Sequence, residues 1–116
     1  MTIRSPTTPT RIDKSPHVGP AIALYSHDAM GVGHVRRNLL IAQVLSRPPV
    51  NATSLLICGV HEAAAFTGGH GIDCLTLPSF EKHGNDDYRP RKLRLSSRSV
   101  TRIRAATLES ALLTMS

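Results

Sequence analysis

Ala21–Leu45, "AIALYSHDAMGVGHVRRNLLIAQVL", is the stretch whose reading decides the fold. "AIALYS", 21–26, is a short continuous apolar run that polar residues and glycine bring to an end. Such a run reads as a strand buried on both faces, the kind that parallel sheets contain. From His34 to Arg47 the apolar residues change to helical spacing. Val35, Leu39, Ala42 and Leu45 share one face, and Leu40, Ile41 and Val44 widen it into a helix buried over much of its circumference. Pro48 and Pro49 then stop it, because proline cannot continue a helix. A strand, a glycine turn and a helix follow one another without a gap.

Working outward, the same alternation repeats. "ATSLLICGV", 52–60, reads as a second buried strand, and "HEAAAF", 61–66, as a short helix closed by "TGGHG". "IDCLTLP", 72–78, reads as a third strand that Pro78 ends. "SFEKHGNDDYRPRKL", 79–93, reads as a polar loop. From Ser97 a last helix presents Val100, Ile103, Ala111, Leu112 and Met115 as its apolar face. Strands alternating with helices predict an α/β fold, a partial Rossmann-like parallel sheet with flanking helices over 21–116. Residues 1–20 are rich in Ser, Thr and Pro and read as a disordered tail. Doubly wound sheets usually have about five or six strands. Three strands and an uncapped last helix therefore suggest a truncated domain, the first part of a larger protein.

Composition narrows the function. The 116 residues are 41% hydrophobic and 3% aromatic with no Trp, so one aliphatic core is expected. No apolar run approaches the roughly 20 residues that span a bilayer, and the N-terminus lacks the apolar stretch of a secretory signal. A cytoplasmic protein is expected. The formal net charge of +6 is uneven. Residues 21–80 carry three basic and three acidic residues, whereas 81–116 carry eight and four. A neutral centre with few aromatics does not suit nucleic acid, and none is expected as a partner. Cys58 and Cys74 fall in strand-like runs and read as small buried hydrophobes. The spacings Cys58-x-x-His61 and His70-x-x-x-Cys74 could be halves of a zinc site, but thiols pointing into a sheet do not suit one, and no metal is expected.

The turn between the first strand and the first helix is where chemistry concentrates. Gly31 and Gly33 would allow positive φ and close approach of a ligand to the backbone. The free N–H groups of the helix that follows favour an anion. Open parallel sheets bind ligands at the carboxyl ends of their strands. The dinucleotide fingerprint is not met. Gly31-Val32-Gly33-His34-Val35-Arg36 places Arg36 where a third small residue belongs, and no acidic residue closes the second strand. The phosphate-loop pattern fails as well, since no Gly-Lys-Ser/Thr follows.

"YSHDAMGVGHVRRNLLIAQVL" resembles the start of glycosyltransferases of the GT-B superfamily similar to glycosyltransferase family 28. That family includes the N-acetylglucosaminyl transferase of peptidoglycan synthesis. There a G-x-G-H turn follows the first strand and the His begins the first helix. "LLICG", "GIDCLTLPSFEK", the "YRPR" loop and a long helix extend the resemblance over 21–116. It implies transfer of a sugar from a nucleotide-diphosphate donor to an acceptor hydroxyl. It also implies two Rossmann-like domains, with the acceptor held by the first and the donor by the second. This chain would be an incomplete GT-B N-terminal domain, inactive alone, with the donor site elsewhere.

On that reading His34 is the catalytic candidate, a base toward an acceptor hydroxyl. The substrate-binding candidates are Asp28, Gly31, Gly33, Arg37 and Asn38. His27 ends the strand, where it could face the cleft. No cofactor is expected. The implied partners are a nucleotide-sugar donor and a hydroxyl-bearing acceptor, with a lipid-linked one among the options. The basic loop "YRPRKLRLSSR", 88–98, suggests peripheral contact with a membrane surface. The rival reading is a non-catalytic α/β module that binds a nucleotide or anion at the same turn.

Overall fold

The computed structural model describes residues 19–27, 33–66 and 71–116. The tail expected over 1–20 therefore lies almost wholly outside the described residues. So do two substrate-binding candidates, Asp28 and Gly31, and the zinc candidate His70.

Three strands form one parallel sheet in the order β1-β2-β3: β1 (Ala21–Tyr25), β2 (Thr53–Cys58) and β3 (Ile72–Thr76). The register sets Leu24 beside Leu56 and Leu56 beside Cys74. Ladder-type bonds run past the strand ends. Ser26 N–H donates to the Ile57 carbonyl at 2.9 Å, and Leu77 N–H to the Cys58 carbonyl at 2.8 Å. Helix α1 (Gly33–Leu45) links β1 to β2, and a 3₁₀ helix at His61–Phe66 links β2 to β3. The fold is α/β, with a three-stranded parallel sheet flanked by helices.

Alternation along the strands divides the core into two layers. Leu24, Leu56, Cys58, Ile72 and Cys74 gather with Val35, Leu39 and Ala42 of α1 and with Ala63 of the 3₁₀ helix. The opposite parity, with Tyr25, Leu55 and Leu75, faces helix α2 (Ser97–Met115). Only β2 has a strand on each side, and Leu56, Ile57 and Cys58 are fully buried there. Burying a side chain such as Ile57 contributes about 1.5–3 kcal/mol. β1 was expected to be buried on both faces, but it is half-buried, with Ala21 and Tyr25 exposed. Its outer edge has no described strand against it.

Both helices bury less than their composition suggests. In α1 only Val35 and Ala42 are buried; Leu40 is 63% and Val44 65% exposed, and Ile41 is exposed too. α1 lies along one side of a narrow sheet, so only one stripe of it finds a partner. α1 ends where Ser46 N–H donates to the Ala42 carbonyl at 2.9 Å and Ser46 Oγ to the Gln43 carbonyl at 2.8 Å. α2 starts at a Ser96 cap whose Oγ accepts from Ser99 N–H at 3.1 Å. Its buried residues are Val100 and Arg104, whereas Ile103 and Leu112 of the expected face are exposed. Between the C-terminal half of α2 and the sheet lies an open groove of about 550 Å³, lined by Leu55, Leu75, Ala106, Ala111 and Met115 among others.

The polar stretch after β3 is not a plain loop. β4 (Phe80–Lys82) and β5 (Tyr88–Pro90) pair antiparallel, with Phe80 beside Pro90. The turn uses positive φ at Gly84 (72°) and Asp86 (61°), and His83 N–H closes it on the Asp87 carbonyl at 2.6 Å. This hairpin lies directly after the carboxyl end of β3. No helix among the described residues is long and apolar enough to cross a membrane.

Candidate functional site

The carboxyl ends of β1 and β3 bring together a cluster that the sequence reading did not assemble. Arg104 reaches back from α2 to the end of the sheet, and it is 7% exposed. Its Nη1 donates to the Pro78 carbonyl at 2.6 Å and its Nη2 to the Tyr25 hydroxyl at 3.0 Å. The same Nη2 lies 3.3 Å from Nδ1 of His27. Its guanidinium carbon stands 5.9 Å from the centre of the Phe80 ring, within cation–π range. Four segments thus converge on one side chain: the end of β1, the residues after β3, the first residue of β4, and α2.

The hydrogen-bond roles follow from the donors. A guanidinium can only donate, so the Tyr25 oxygen accepts from Arg104 and has its own proton to give. His27 Nδ1 lies 3.0 Å from that oxygen. An Nδ1 that accepts from both Tyr25 and Arg104 leaves the ring proton on Nε2. The rings of Tyr25 and His27 sit 6.4 Å apart at 45°. Both residues are exposed while Arg104 is covered, so the charge lies beneath a polar, accessible mouth.

A second arginine, just after β5, reaches Phe80. Arg91 Nη2 donates to the Phe80 carbonyl at 3.4 Å, so arginines reach Phe80 at both ring and backbone. Arg89 is held by Asp87 at 2.9 Å on the surface, where an exposed pair contributes little. Among the described residues no carboxylate lies within 4.0 Å of Arg104; the ion pairs found are His83–Glu81 and Arg89–Asp87.

The sequence-based candidates are placed as follows. Gly33 is the first residue of α1 and His34 the second, and both are exposed. Arg37 is exposed and Asn38 half-buried, one turn further on. Positive φ was expected of Gly33, but it is found at Gly19, Gly71 and Gly84. Gly33 has helical backbone because it already belongs to α1. A Cβ there would meet no described heavy atom within 4 Å, so the helix start stays open to a ligand. Cys58 is buried and Cys74 half-buried, and their sulfurs are 4.0 Å apart with no disulfide between them. No group of three or more His, Cys, Asp or Glu among the described residues is placed to hold a metal.

Compared with family models, with curated proteins and with solved structures, the chain matches none. The residues at this end of the sheet are His27, Tyr25 and Arg104. Of these, His27 was expected to end the strand, where it could face the cleft. Arg104 and Tyr25 were missed altogether. A signal for Arg104 was present, because Val100, Arg104, Ala111 and Met115 fall on one helical stripe. An arginine inside an apolar stripe marks a buried charge.

Proposed function

We propose that the chain is the acceptor-binding, N-terminal part of a GT-B-type glycosyltransferase similar to family 28. Such an enzyme would transfer a sugar from a nucleotide-diphosphate donor to an acceptor hydroxyl. The observation that carries this reading is the placement of His34. It is exposed at the start of α1, the helix that follows β1 in the chain, and open parallel sheets receive ligands where a strand's carboxyl end leads into the next helix.

In this reading the acceptor hydroxyl lies against His34, which takes its proton as the oxygen attacks the anomeric carbon. The bond from that carbon to the donor diphosphate breaks, and the diphosphate leaves with the bonding pair. Amides at the start of α1, including that of Gly33, favour the negative charge on the substrates. Asp28 and Gly31, which precede α1 in sequence, and Arg37 and Asn38, which lie within it, are assigned to substrate binding. A second Rossmann-like domain would hold the donor. The chain alone would then be inactive, working in the cytoplasm or at a membrane surface.

The test is release of nucleoside diphosphate from a panel of nucleotide-diphosphate sugars with hydroxyl acceptors. It is run on this chain and on the longest reading frame that contains it. The expected result is acceptor-dependent release by the longer protein, none by this chain, and loss of release in His34→Ala. Turnover that His34→Ala leaves unchanged, or turnover by this chain alone, overturns the reading.

A further inference from the structure

We propose that Arg104, Tyr25 and His27 form a binding site for a phosphate group, distinct from the His34 turn in the residues it uses and independent of the transfer reading. A guanidinium stays charged in proteins, and a buried charge is costly unless an opposite charge or a full set of hydrogen bonds compensates it. Arg104 is covered, yet its partners are a carbonyl, a hydroxyl and an imidazole nitrogen, all of them neutral acceptors. Among the described residues no carboxylate pairs with it. The charge is held in place from one side by the Pro78 carbonyl on Nη1. Nη2 is turned toward Tyr25 and His27, whose side chains are the accessible part of the cluster.

A phosphate suits this mouth in three ways. Its oxygens can accept from the guanidinium, which binds phosphate through planar, paired N–H donors. The Tyr25 hydroxyl and the His27 Nε2–H are further donors a few ångströms away on exposed side chains that can turn toward an incoming anion. Arg91, bonded to the Phe80 carbonyl, is a second cation beside the Phe80 ring that Arg104 faces. A phosphate placed there supplies the counter-charge that no described residue supplies.

The test uses the purified chain titrated with inorganic phosphate, with uridine diphosphate, and with vesicles containing phosphatidic acid. Binding is read by calorimetry and by the rise in Tm. Saturable phosphate binding at roughly millimolar concentration is expected, weakened about tenfold or more in Arg104→Lys. Tyr25→Phe and His27→Gln should each weaken it several-fold; both alter exposed side chains, so they serve where an Arg104 variant does not fold. Tighter binding of uridine diphosphate assigns the phosphate to a nucleotide. Preference for the vesicles assigns it to a lipid headgroup. Either outcome, lost in the same variants, upholds the site. No saturable binding, or binding equal in all three variants, overturns it. So does phosphate binding that appears only in Asp28→Asn, which would make the counter-charge the chain's own.

Discussion

Arg104 of α2 and Tyr25 of β1 stand 79 positions apart in sequence and meet in a hydrogen bond of 3.0 Å. Together with the bond from Arg104 to the Pro78 carbonyl, this contact fastens α2 to the carboxyl end of the sheet. It also decides which stripe of α2 faces inward. The first prediction follows from the two bonds. Arg104→Met removes both and should cost about 1–3 kcal/mol in urea unfolding. Tyr25→Phe leaves the Pro78 bond in place and should cost about 0.5–1.5 kcal/mol. Equal losses in the two variants would show that Pro78 contributes nothing to the fastening.

Ser54 gives a prediction of opposite sign. It lies in β2 on the same face as Leu56, is buried, and its hydroxyl has no hydrogen-bond partner among the described residues. An unsatisfied buried hydroxyl costs about 1–3 kcal/mol, and an alanine of similar size recovers part of it. Ser54→Ala should therefore raise unfolding stability by about 1 kcal/mol. A loss of similar size would mean that the hydroxyl holds a bound water.

The sheet was legible because its strands are apolar runs bounded by glycine and proline, and the helices because Leu, Ile and Ala recur at helical spacing. Two things were not legible, for different reasons. The β4–β5 hairpin has strands of three residues, too short for alternation to show, and its residues are mostly polar. Its turn, with Gly84 and Asp86 at positive φ, was the readable part. The inward face of α2 was read rightly at Val100, Ala111 and Met115 but too widely at Ile103 and Leu112, which flank it and are exposed. Apolar counting passes over Arg104, which lies on the same stripe and is buried through its two hydrogen bonds. The start of α1 was found from the glycine turn. The cluster at Arg104 was not, because three of its members come from segments that only the tertiary fold brings together.

Exposure separates apolar residues that look alike in sequence. Ile57 is fully buried at the centre of the sheet, whereas Leu40 is 63% exposed on α1. Ile57→Ala should cost about 2–5 kcal/mol by lost burial and the cavity it leaves. Leu40→Ala should stay within about 0.5 kcal/mol of the parent. Urea midpoints at constant slope distinguish the two. A large loss at Leu40 would show that this stripe is covered in solution.

Glycine substitutions divide backbone need from ligand need. Gly19 has φ of 91°, and an added Cβ would lie 2.6 Å from the Val50 carbonyl oxygen and nearer still to that of Asn51. Gly19→Ala should therefore destabilise by about 2 kcal/mol or more, through strain and through displacement of the chain entering β1. Gly33 has helical backbone, and an added Cβ would meet no described heavy atom within 4 Å. Gly33→Ala should leave stability unchanged or raise it by up to about 1 kcal/mol, since alanine is the better helix former. A methyl group there would stand where a ligand must approach the first amides of α1. In the proposed transferase, Gly33→Ala should then lower transfer while Tm holds. Transfer unchanged in that variant would remove the start of α1 from the substrate site and leave His34 to act from its side chain alone.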